Sequence, residues 1–332
     1  MQTLKTAVIG LGFMGQQHAR ILYEMPNAEL IGVYDIDENH ARNMAEQFNT
    51  NAYSDLEALL EEKNLEAVFI CTSDDQHLDI AYKVADYGKD IFIEKPLADT
   101  LEDSKKIMNK VNDSNIRMLV GHTLRWDPRY YLAKESVQQG DIGEHVHIYA
   151  RRSNSYENGK RLKGRTSVVK FLGVHDLDAI EWVTGDRIEE VYAIEARKRL
   201  TEFDIGDVII TTLKFASGAI GSYEASWVLP HVDIDAKLDI TGSEGALNID
   251  IVDQTIKVYK NQDKISYPDP LSGVELYGKQ TGIIKEEVSS FVNGILEGKE
   301  FPISLEEAYR AVKIVEAIEE SIKIGQSVKI SE

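Results

Sequence analysis

The sequence predicts an α/β protein of two domains, the first built on a parallel sheet and the second on an open, mainly antiparallel sheet. The chain has 332 residues, more than one ordinary hydrophobic core accommodates. Strand and helix patterns alternate up to about residue 122, as in proteins with crossover helices. Beyond that point strand patterns dominate, and turn signals such as Ala216-Ser-Gly218 separate some of them. We therefore expect domains at residues 1–122 and 123–332.

A glycine-rich turn follows the first predicted strand. The apolar run Ala7-Val-Ile9 is typical of a buried strand. Gly10, Gly12 and Gly15 follow it in G-x-G-x-x-G spacing, before a helical pattern begins. In a dinucleotide-binding turn the first glycine permits a tight bend, the second lets a pyrophosphate approach the backbone, and the third lets the helix pack on the strand. The helix N-terminus would offer N–H groups and the positive end of its dipole to phosphates.

An acidic residue ends the second predicted strand. The run Glu29–Tyr34 leads directly to Asp35, about 20 residues after Gly15. A carboxylate there accepts hydrogen bonds from both hydroxyls of an adenosine ribose and repels a 2′-phosphate. The order of strand, turn, helix, strand and acid therefore predicts an NAD site, with NADP the less favoured cofactor. The alternative is a structural glycine turn followed by a surface acid.

The composition limits the class of protein. The net charge of −19 opposes binding to nucleic acid or to an anionic membrane surface. No apolar run reaches the length of a membrane span, and residues 1–10 lack the order of a signal peptide. Cys71 is the only cysteine, which excludes an intrachain disulfide and fits a reducing, cytoplasmic compartment. His145 and His147 lie on one face of a predicted strand without a third ligand, so we expect no metal site.

Two further strands of the first domain end in polar segments. The strand Ala67–Ile70 is followed by Cys71-Thr72-Ser73, and the strand Asp90–Ile93 by Glu94-Lys95-Pro96. Ligands bind beyond the carboxyl ends of the strands in an open α/β sheet, so we expect both segments to share a site with the glycine turn and Asp35. The remaining strands predicted here are Ala52–Tyr53 and Met118–Val120. Helices are predicted at Glu38–Phe48, after a capping box Ser54-Asp-Leu-Glu57, after the segment Asp74-Asp-Gln-His77 to about Tyr87, and at about Asp99–Val111.

Lys95 is the residue of this edge that is best suited to chemistry. It directly follows a buried strand, and Pro96 disfavours helical geometry at Lys95, so its side chain is more confined than that of a surface lysine. If the amine is partly desolvated, its pKa falls and it can exchange a proton with a substrate hydroxyl. Glu94 could hold the ammonium in place. The alternative is an ordinary ion pair at the end of a strand.

The second half of the chain combines strands with three long helices. Strands are predicted at His145–Arg151, Ile188–Glu195, Val208–Phe215, Ala219–Trp227, Ala236–Thr241 and Thr255–Lys260, and helices at Ser167–Thr184, Ile284–Leu296 and, after the capping box Ser304-Leu-Glu-Glu307, Leu305–Ile322. The first of these helices carries His175, Asp176 and Asp178 among apolar positions. A histidine that a carboxylate orients can move a proton near neutral pH. A structural or surface histidine is the alternative.

Two other features have alternative interpretations. The basic segment 151–165 either recruits an anionic substrate or the cofactor pyrophosphate, or forms a solvated, mobile loop. His18 and His77 lie near the predicted cofactor turns, where we expect them to cap helices or to hydrogen-bond to the backbone.

Five segments of the chain form a distinctive set. They are Gly10-Leu-Gly-Phe-Met-Gly-Gln-Gln-His18, Cys71-Thr-Ser-Asp-Asp-Gln-His77, Glu94-Lys-Pro96, Gly121-His-Thr-Leu-Arg-Trp126 and Gly173-Val-His-Asp-Leu-Asp178. Together they resemble the Gfo/Idh/MocA family of oxidoreductases, which includes glucose–fructose oxidoreductase and inositol dehydrogenase. The resemblance implies an N-terminal NAD-binding Rossmann domain. It also implies a C-terminal domain for substrate binding and oligomerisation, whose sheet often forms a dimer or tetramer interface.

The resemblance also implies roles for single residues. Lys95 corresponds to the family's lysine and His175 to the histidine of its later helix, both beside the substrate carbon that exchanges hydride with nicotinamide C4. Arg125 and Trp126 would line the substrate side of the cleft. The predicted cofactor-binding residues are Gly10, Gly12, Phe13, Met14, Gly15, Asp35, Thr72, Ser73, His77, Glu94 and Lys95, the predicted catalytic residues are Lys95 and His175, and the predicted substrate-binding residues are Lys95, Arg125, Trp126, His175 and Asp176.

The chain departs from the family pattern at Phe171. Many catalytic members carry an aspartate there, four residues before the histidine, and a phenyl ring can neither orient an imidazole nor bind a sugar hydroxyl. Either Asp176 or Asp178 takes over, or the substrate differs, or catalysis is lost. Thr72-Ser73 in place of the usual Thr-Pro is a milder departure, because it changes a turn rather than a functional group.

Together these patterns predict an oxidoreductase. It would transfer hydride between NAD and a secondary alcohol or ketone of a sugar, cyclitol or sugar derivative, as a cytoplasmic homodimer or homotetramer that binds neither nucleic acid nor membrane. The alternative, motivated by Phe171, is a non-catalytic dinucleotide-binding regulator of the same fold. A third hypothesis is a reductase that acts on a non-sugar substrate or retains its cofactor.

Overall fold

The computed structural model describes residues 2–229, 234–252, 256, 258–260, 264–266, 270–271 and 273–331. Backbone contacts divide the chain into two compact units, Met1–Thr123 with Leu271–Tyr309 and Leu124–Pro270 with Arg310–Glu332. The segment Leu271–Tyr309 belongs to the first unit, a return of the chain that the boundary predicted at residue 122 does not include. The assignment of cofactor and substrate binding to separate domains stays a prediction.

Six described strands of the first unit form a parallel sheet. The strands are β1 Leu4–Ile9, β2 Ala28–Tyr34, β3 Asn51–Tyr53, β4 Ala67–Ile70, β5 Asp90–Glu94 and β6 Met118–Gly121. The helices between them are α1 Phe13–Glu24, α2 Glu38–Gln47, α3 Leu56–Leu60, α4 His77–Asp86 and α5 Leu101–Ser114. The strand order is β3-β2-β1-β4-β5-β6 with all neighbours parallel, which confirms the predicted sheet. The order reverses between β1 and β4, the point where such sheets bind dinucleotides.

Side-chain caps explain where two of these helices begin. The Thr100 hydroxyl accepts a hydrogen bond from the Asp103 N–H at the start of α5, 3.1 Å away. The capping box predicted to begin at Ser54 is wrong, because Asp55 caps α3 by accepting from the Ala58 N–H. Asp55 performs the same function one residue later, since its carboxylate is also a strong N-cap acceptor.

The rest of the chain forms a second sheet, two short hairpins and several helices. In chain order the elements are α6 Pro128–Gln139, β7 His145–Ser155, α7 Tyr156–Arg161, α8 Val174–Thr184, β8 Ile188–Ala196, β9 Val208–Phe215, β10 Ile220–Leu229, β11 Ile234–Gly242, β12 Ala246–Asp250, β13 Val258–Lys260, β14 Lys264–Ser266, β15 Glu275–Leu276, β16 Lys279–Gln280, α9 Ile283–Glu297, α10 Leu305–Ile324 and β17 Val328–Lys329. Within the described residues the large sheet has the order β12-β11-β7-β10-β9-β8-β17. Only β10 and β7 run parallel among these neighbours, which confirms the mainly antiparallel sheet.

The structure contains strands that are not predicted, namely β12, β14, β15, β16 and β17, and it places the strand predicted at Thr255–Lys260 outside the large sheet. β12 belongs to the large sheet and is not predicted, because its short sequence alternates only weakly between buried and exposed positions. The strand predicted at Thr255–Lys260 is observed as β13, which pairs with β14 apart from the large sheet. Thr255 itself lies outside the described residues.

The helix predicted at Ser167–Thr184 is divided in two. Residues Val169–Gly173 form a π-helical segment, in which the Val174 N–H bonds to the carbonyl of Val169, five residues earlier. α8 follows directly. The extra residue in this turn changes which side chains share a face with His175, and such bulges are frequent at functional sites.

The returning segment contributes to the core of the first unit. Phe291 of α9 packs edge-on against Phe69 of β4 and Phe92 of β5, with ring centroids 5.2 and 5.8 Å apart. All three side chains are fully buried. Burial of one phenylalanine contributes about 1.5–3 kcal/mol, so α9 is an integral part of this core.

The capping box predicted before α10 is confirmed. Ser304 Oγ accepts the Glu307 N–H at 3.2 Å, and Glu307 Oε2 accepts the Ser304 N–H at 2.8 Å. Although α10 spans 20 residues, neither it nor another helix in the described part of the chain is long and apolar enough to cross a membrane.

Candidate functional site

The turn after β1 requires two residues without side chains. Gly10 has φ +85, and a Cβ there would lie 2.8 Å from the Thr72 nitrogen. A Cβ on Gly15 would lie 1.9 Å from the Gly10 carbonyl oxygen, far inside van der Waals contact. At Gly12, apart from the glycine and its two neighbours in sequence, no atom of the described chain lies within 4 Å of the corresponding position. The predicted tight bend at Gly10 and close packing at Gly15 are confirmed, and the backbone at Gly12 is open to a ligand.

The start of α1 and a neighbouring cleft fit a dinucleotide. α1 begins directly after Gly12, and no side chain of the described residues caps it. Its first N–H groups, which include those of Phe13 and Met14, therefore remain available to a phosphate. A cleft of about 820 Å³ lies beside this turn and is lined by residues that include Gly10, Gly12, Asp35, Ile36, Thr72 and Ser73. Part of the lining comes from the ends of β1, β2 and β4, where the strand order places a dinucleotide, and the rest comes mainly from α3, α4 and α5.

Asp35 connects the end of β2 to the glycine turn. Its Oδ2 accepts the Leu11 N–H at 2.7 Å, and its Oδ1 accepts the Asp37 N–H at 2.9 Å. The Leu11 carbonyl in turn accepts from the Gln16 amide at 3.0 Å and lies 2.9 Å from His40 Nε2. These contacts hold the turn that a ribose would adjoin. Sequence analysis missed Gln16 and His40, because no spacing rule links them to Leu11.

Lys95 is the only partly exposed residue in the otherwise buried run 91–98. It follows β5 and precedes Pro96 through a cis peptide bond. The neighbouring Glu94 is buried, with Oε1 2.7 Å from Nε2 of His18. The expected contact of Glu94 with the Lys95 ammonium stays a prediction. Burial alone would raise the pKa of Glu94, but the hydrogen bond and charge of His18, with a smaller effect of Lys95, hold that pKa below its usual value.

Two of the predicted cofactor contacts lie inside the protein. The His77 ring is fully buried, with Nδ1 3.0 Å from the Pro96 carbonyl and Nε2 3.3 Å from the Thr72 carbonyl. The expected bonding of His77 to the backbone is confirmed, and its burial does not agree with a direct cofactor contact. Glu94 likewise points inward to His18, which bonds to a side chain instead of to the backbone.

A buried carboxyl group that sequence analysis missed lies near Glu94. Glu287 of α9 is fully buried, and neither of its carboxyl oxygens has a hydrogen-bond partner among the described residues. Burial raises the pKa of Glu287 well above its usual value, and the charge of Glu94 raises it further. Burial and the same two carboxyl groups also raise the pKa of the Cys71 thiol. Both shifts favour the protonated forms of these two groups.

His175 lies in the second unit. It is partly exposed, whereas residues 172–174 and 176–180 are buried. Phe171, in the π-helical segment, packs on the fully buried Trp227 of β10 with ring centroids 5.4 Å apart. The phenyl ring that replaces the family's usual aspartate therefore adds to the hydrophobic core.

Asp176 is held by a buried arginine. It accepts hydrogen bonds from Arg152 Nε and Nη2 at 2.7 and 2.9 Å and from the Tyr223 hydroxyl at 3.1 Å. Burial raises the pKa of Asp176, and Arg152 opposes this effect. The predicted substrate contact of Asp176 does not agree with this arrangement, because both carboxylate oxygens are bound and the residue is buried.

Arg125 forms a second buried ion pair. Its Nε and Nη2 donate to Asp178 at 3.0 and 2.7 Å, and both side chains are almost fully buried. Arg125 is predicted to contact substrate, and Asp178 is one candidate to support His175, but the structure pairs the two side chains with each other. Trp126 is partly exposed, and its contact with substrate stays a prediction.

The basic segment 151–165 is not a single loop. Residues 151–155 complete β7, and α7 follows at Tyr156–Arg161. A Cβ on Gly159 would lie 2.8 Å from a Trp227 ring carbon, so α7 packs tightly on β10. The mobile-loop alternative is therefore wrong for residues 151–161, and binding of an anion by the segment stays a hypothesis.

His145 belongs to a polar contact at the start of β7. Its Nε2 lies 2.7 Å from Asp186 Oδ2, which also accepts the Ser217 hydroxyl at 2.5 Å. Burial alone would raise the pKa of Asp186, but the hydrogen bonds from His145 and Ser217 hold that pKa below its usual value. A search of the described residues finds no group of three His, Cys, Asp or Glu side chains that could hold a metal ion.

Models of two protein families match the chain. The model of an oxidoreductase family with an NAD-binding Rossmann fold matches residues 4–122. The model of the GFO/IDH/MocA C-terminal domain matches residues 130–248. The two matches include the glycine turn, Lys95 and His175.

Several proteins of known name are similar to the chain. A myo-inositol 2-dehydrogenase from Thermotoga maritima is 26% identical over 339 aligned residues, which cover 99% of each chain. A scyllo-inositol 2-dehydrogenase (NAD(+)) from Bacillus subtilis is 31% identical over 252 residues, which cover 74% of this chain and 73% of that protein. The crystal structure of scyllo-inositol dehydrogenase from Lactobacillus casei with bound NAD(H) and scyllo-inositol superposes with a TM-score of 0.87 at 21% identity, over 100% of each chain. At that identity the superposition shows a shared fold.

Proposed function

Since the chain belongs to the Gfo/Idh/MocA family of oxidoreductases, we propose that it is an NAD-dependent dehydrogenase or reductase of a secondary alcohol or ketone in a sugar, cyclitol or sugar derivative. The observation that carries the proposal is a complete dinucleotide turn at the switch point of the sheet, with Lys95 partly exposed at the end of a strand of the same sheet. The relatives named above act on inositols, so cyclitols are the substrate class to examine first.

The first unit offers the groups that would hold NAD. The cofactor supplies the hydride donor or acceptor when bound. The open backbone at Gly12 and the first N–H groups of α1 would hold the pyrophosphate, while Thr72 and Ser73 line the cleft. Asp35 would bind the adenosine ribose and repel a 2′-phosphate, which favours NAD over NADP.

Lys95 is the proposed acid/base residue. In the oxidation direction the neutral amine of Lys95 would accept the proton of the substrate hydroxyl, while the carbon that bears this hydroxyl would lose its hydride to the bound cofactor and become a carbonyl carbon. In the reverse direction the Lys95 ammonium returns the proton to the new alkoxide oxygen. His175, the partly exposed residue of its buried run, is proposed to orient the substrate or to share this proton.

Lys95→Ala tests the proposal. Polyols, cyclitols, aldoses and uronates are offered with NAD⁺ or NADP⁺, and nicotinamide absorbance is followed. We expect turnover with NAD⁺ on one substrate group, a loss in kcat of at least ~10²-fold in Lys95→Ala, and unchanged NADH binding. Lys110→Ala, which removes an exposed ion pair with Asp86, is the matched control and should retain full activity. Near-normal turnover of Lys95→Ala would contradict the assignment.

A second candidate function is a non-catalytic dinucleotide-binding regulator. The observation that favours it is Phe171, whose ring packs on Trp227 where many catalytic relatives carry an aspartate. NADH binding with no turnover of any of the polyols, cyclitols, aldoses and uronates named above would support the regulator and contradict the dehydrogenase.

We also propose that the protein is a cytoplasmic homodimer or homotetramer. Ile194 of β8 and Ile210 of β9 are cross-strand partners on the outer face of the large sheet, and both are exposed. Tyr192 and Ile220 extend this apolar face, which suits pairing with a second copy. A single cysteine fits a reducing compartment. Light scattering should give a molar mass two or four times the 37.4 kDa of one chain, and the mass of a single chain would contradict the proposal.

A further inference from the structure

His77 contacts the segments that follow two neighbouring strands. It begins α4, the helix that follows β4 and Thr72, and its ring is fully buried. Nδ1 lies 3.0 Å from the carbonyl oxygen of Pro96, the residue after Lys95. Nε2 lies 3.3 Å from the carbonyl oxygen of Thr72, which lines the cleft. One side chain therefore adjoins both the segment Cys71–Ser73, here called the cofactor turn, and the turn that carries Lys95, the proposed acid/base residue.

The chemistry of the two partners decides which contact is a hydrogen bond. Both are carbonyl oxygens, which accept and do not donate. A neutral imidazole has one N–H and can serve only one of them, and the contact with Pro96 has the usual length of an N–H···O bond. A charged ring could serve both, but burial lowers the pKa of His77 against the opposing charges of Asp74 and Glu94. Geometry and burial together favour the neutral ring with its proton on Nδ1.

We propose that His77 is a positioning residue, whose Nδ1–H bond to Pro96 fixes the Lys95–Pro96 turn relative to the start of α4 and the cofactor turn. The proposal rests on the acid/base role proposed for Lys95. It adds a residue that sets the place of the Lys95 amine while touching neither cofactor nor substrate. A misplacement of about 1 Å at a reacting group can cost 10²-fold in rate, so this single bond is sufficient to affect kcat.

Two amide substitutions separate the two ring nitrogens. The amide nitrogen of asparagine takes the place of Nδ1, and that of glutamine takes the place of Nε2. We expect His77→Asn to retain kcat within about 3-fold, and His77→Gln to lose about 10–100-fold in kcat. As a control for folding of the first unit, both variants should bind NADH with the affinity of the wild type. Equal kcat values in the two variants, or a loss confined to His77→Asn, would overturn the proposal.

Two measurements decide the proposal without turnover. The ¹⁵N–¹H spectrum of the imidazoles, with the His77 signals assigned by their absence in His77→Asn, should show a proton on Nδ1; a proton on Nε2 would overturn the proposal. The titration of a ¹³C-methylated Lys95 amine, assigned with Lys95→Arg, should change in His77→Gln and remain as in the wild type in His77→Asn. An unchanged titration in both variants would show that His77 does not position Lys95. If no substrate is turned over, the dehydrogenase proposal fails, and these spectra still test the placement of Lys95.

Discussion

The glycine turn of the first unit and the region around His175 in the second unit are held in place by different means. The conformation of the glycine turn is set mainly by the backbone. Gly10 has a φ of +85, Gly15 lies against the Gly10 carbonyl, and the Leu11 N–H donates to Asp35. The region around His175 is held by buried side chains. Arg125 pairs with Asp178, 53 residues away in sequence, and Arg152 pairs with Asp176, 24 residues away.

The difference sets what each region tolerates. A turn made of backbone fails when a side chain is added where no space exists. A region made of buried ion pairs fails when one partner is removed, because the other is left as an uncompensated charge. The first region should therefore be sensitive to a single methyl group, and the second to the loss of one charge.

Arg152→Met should have the largest effect. It leaves the Asp176 carboxylate buried without its arginine, and the free energy of unfolding in urea should fall by about 3–5 kcal/mol. The matched control is Arg151→Met, one residue earlier in β7, whose partner Asp235 and own side chain are 20% and 33% exposed. It should cost less than about 1 kcal/mol. If Arg152→Met and Arg151→Met lower the free energy of unfolding by similar amounts, the buried ion pair is no more important to stability than the more exposed one, and the prediction is wrong.

Gly15→Ala should have the next largest effect. Its Cβ would overlap the Gly10 carbonyl, so we expect a loss of about 1–3 kcal/mol in stability, together with loss of NADH binding. Gly12→Ala is the control, because Gly12 has φ −61 and open space around it. The free energy of unfolding of Gly12→Ala should differ from that of the wild type by less than about 0.5 kcal/mol, while NADH binding weakens. A stable Gly15→Ala that binds NADH normally would contradict the account of the turn.

Asp186→Asn should have the smallest effect and a distinctive dependence on pH. Removal of the charge-assisted bonds from His145 and Ser217 should cost about 1–2 kcal/mol near pH 7. The folded-state pKa of Asp186 is lowered, so the carboxylate stabilises the fold above its unfolded pKa of about 3.9, and this stabilisation is lost as the pH falls through the lower folded value.

The test of this third prediction is urea unfolding at several pH values. The difference between wild type and Asp186→Asn should shrink as the pH falls below about 4. Asp204→Asn is a suitable control, because the Asp204 side chain is 93% exposed. A difference that persists unchanged to pH 3 would contradict the role assigned to the charge of Asp186.

The first region can be predicted from sequence because its constraints are local. Gly10, Gly12 and Gly15 are fixed by spacing, and Asp35 follows from the end of the next strand. The parallel sheet follows from alternation of strands and helices, and it brings Thr72 and Lys95 to the same edge. Even here the sequence predicts that His77 bonds to the backbone but does not identify its distant partner, the Pro96 carbonyl.

The second region is not accessible to the same reasoning. The pairing of Arg125 with Asp178 depends on which side chains the fold brings together, and no periodicity encodes it. The π-helical segment before α8 depends on one backbone bond from Val174 to Val169 that follows no sequence rule in use. Glu287 appears as one more polar residue of an amphipathic helix, although α9 buries it completely.

The return of the chain to the first unit has a consequence for synthesis on the ribosome. The last strand of the parallel sheet ends at Gly121, and α9, which brings Phe291 onto Phe69 and Phe92, begins at Ile283. At about 5–20 residues per second, roughly 10–30 seconds separate the two. The parallel sheet is therefore translated well before the helix that completes its core. Throughout that interval the nascent chain carries an uncovered aromatic surface that chaperones can bind.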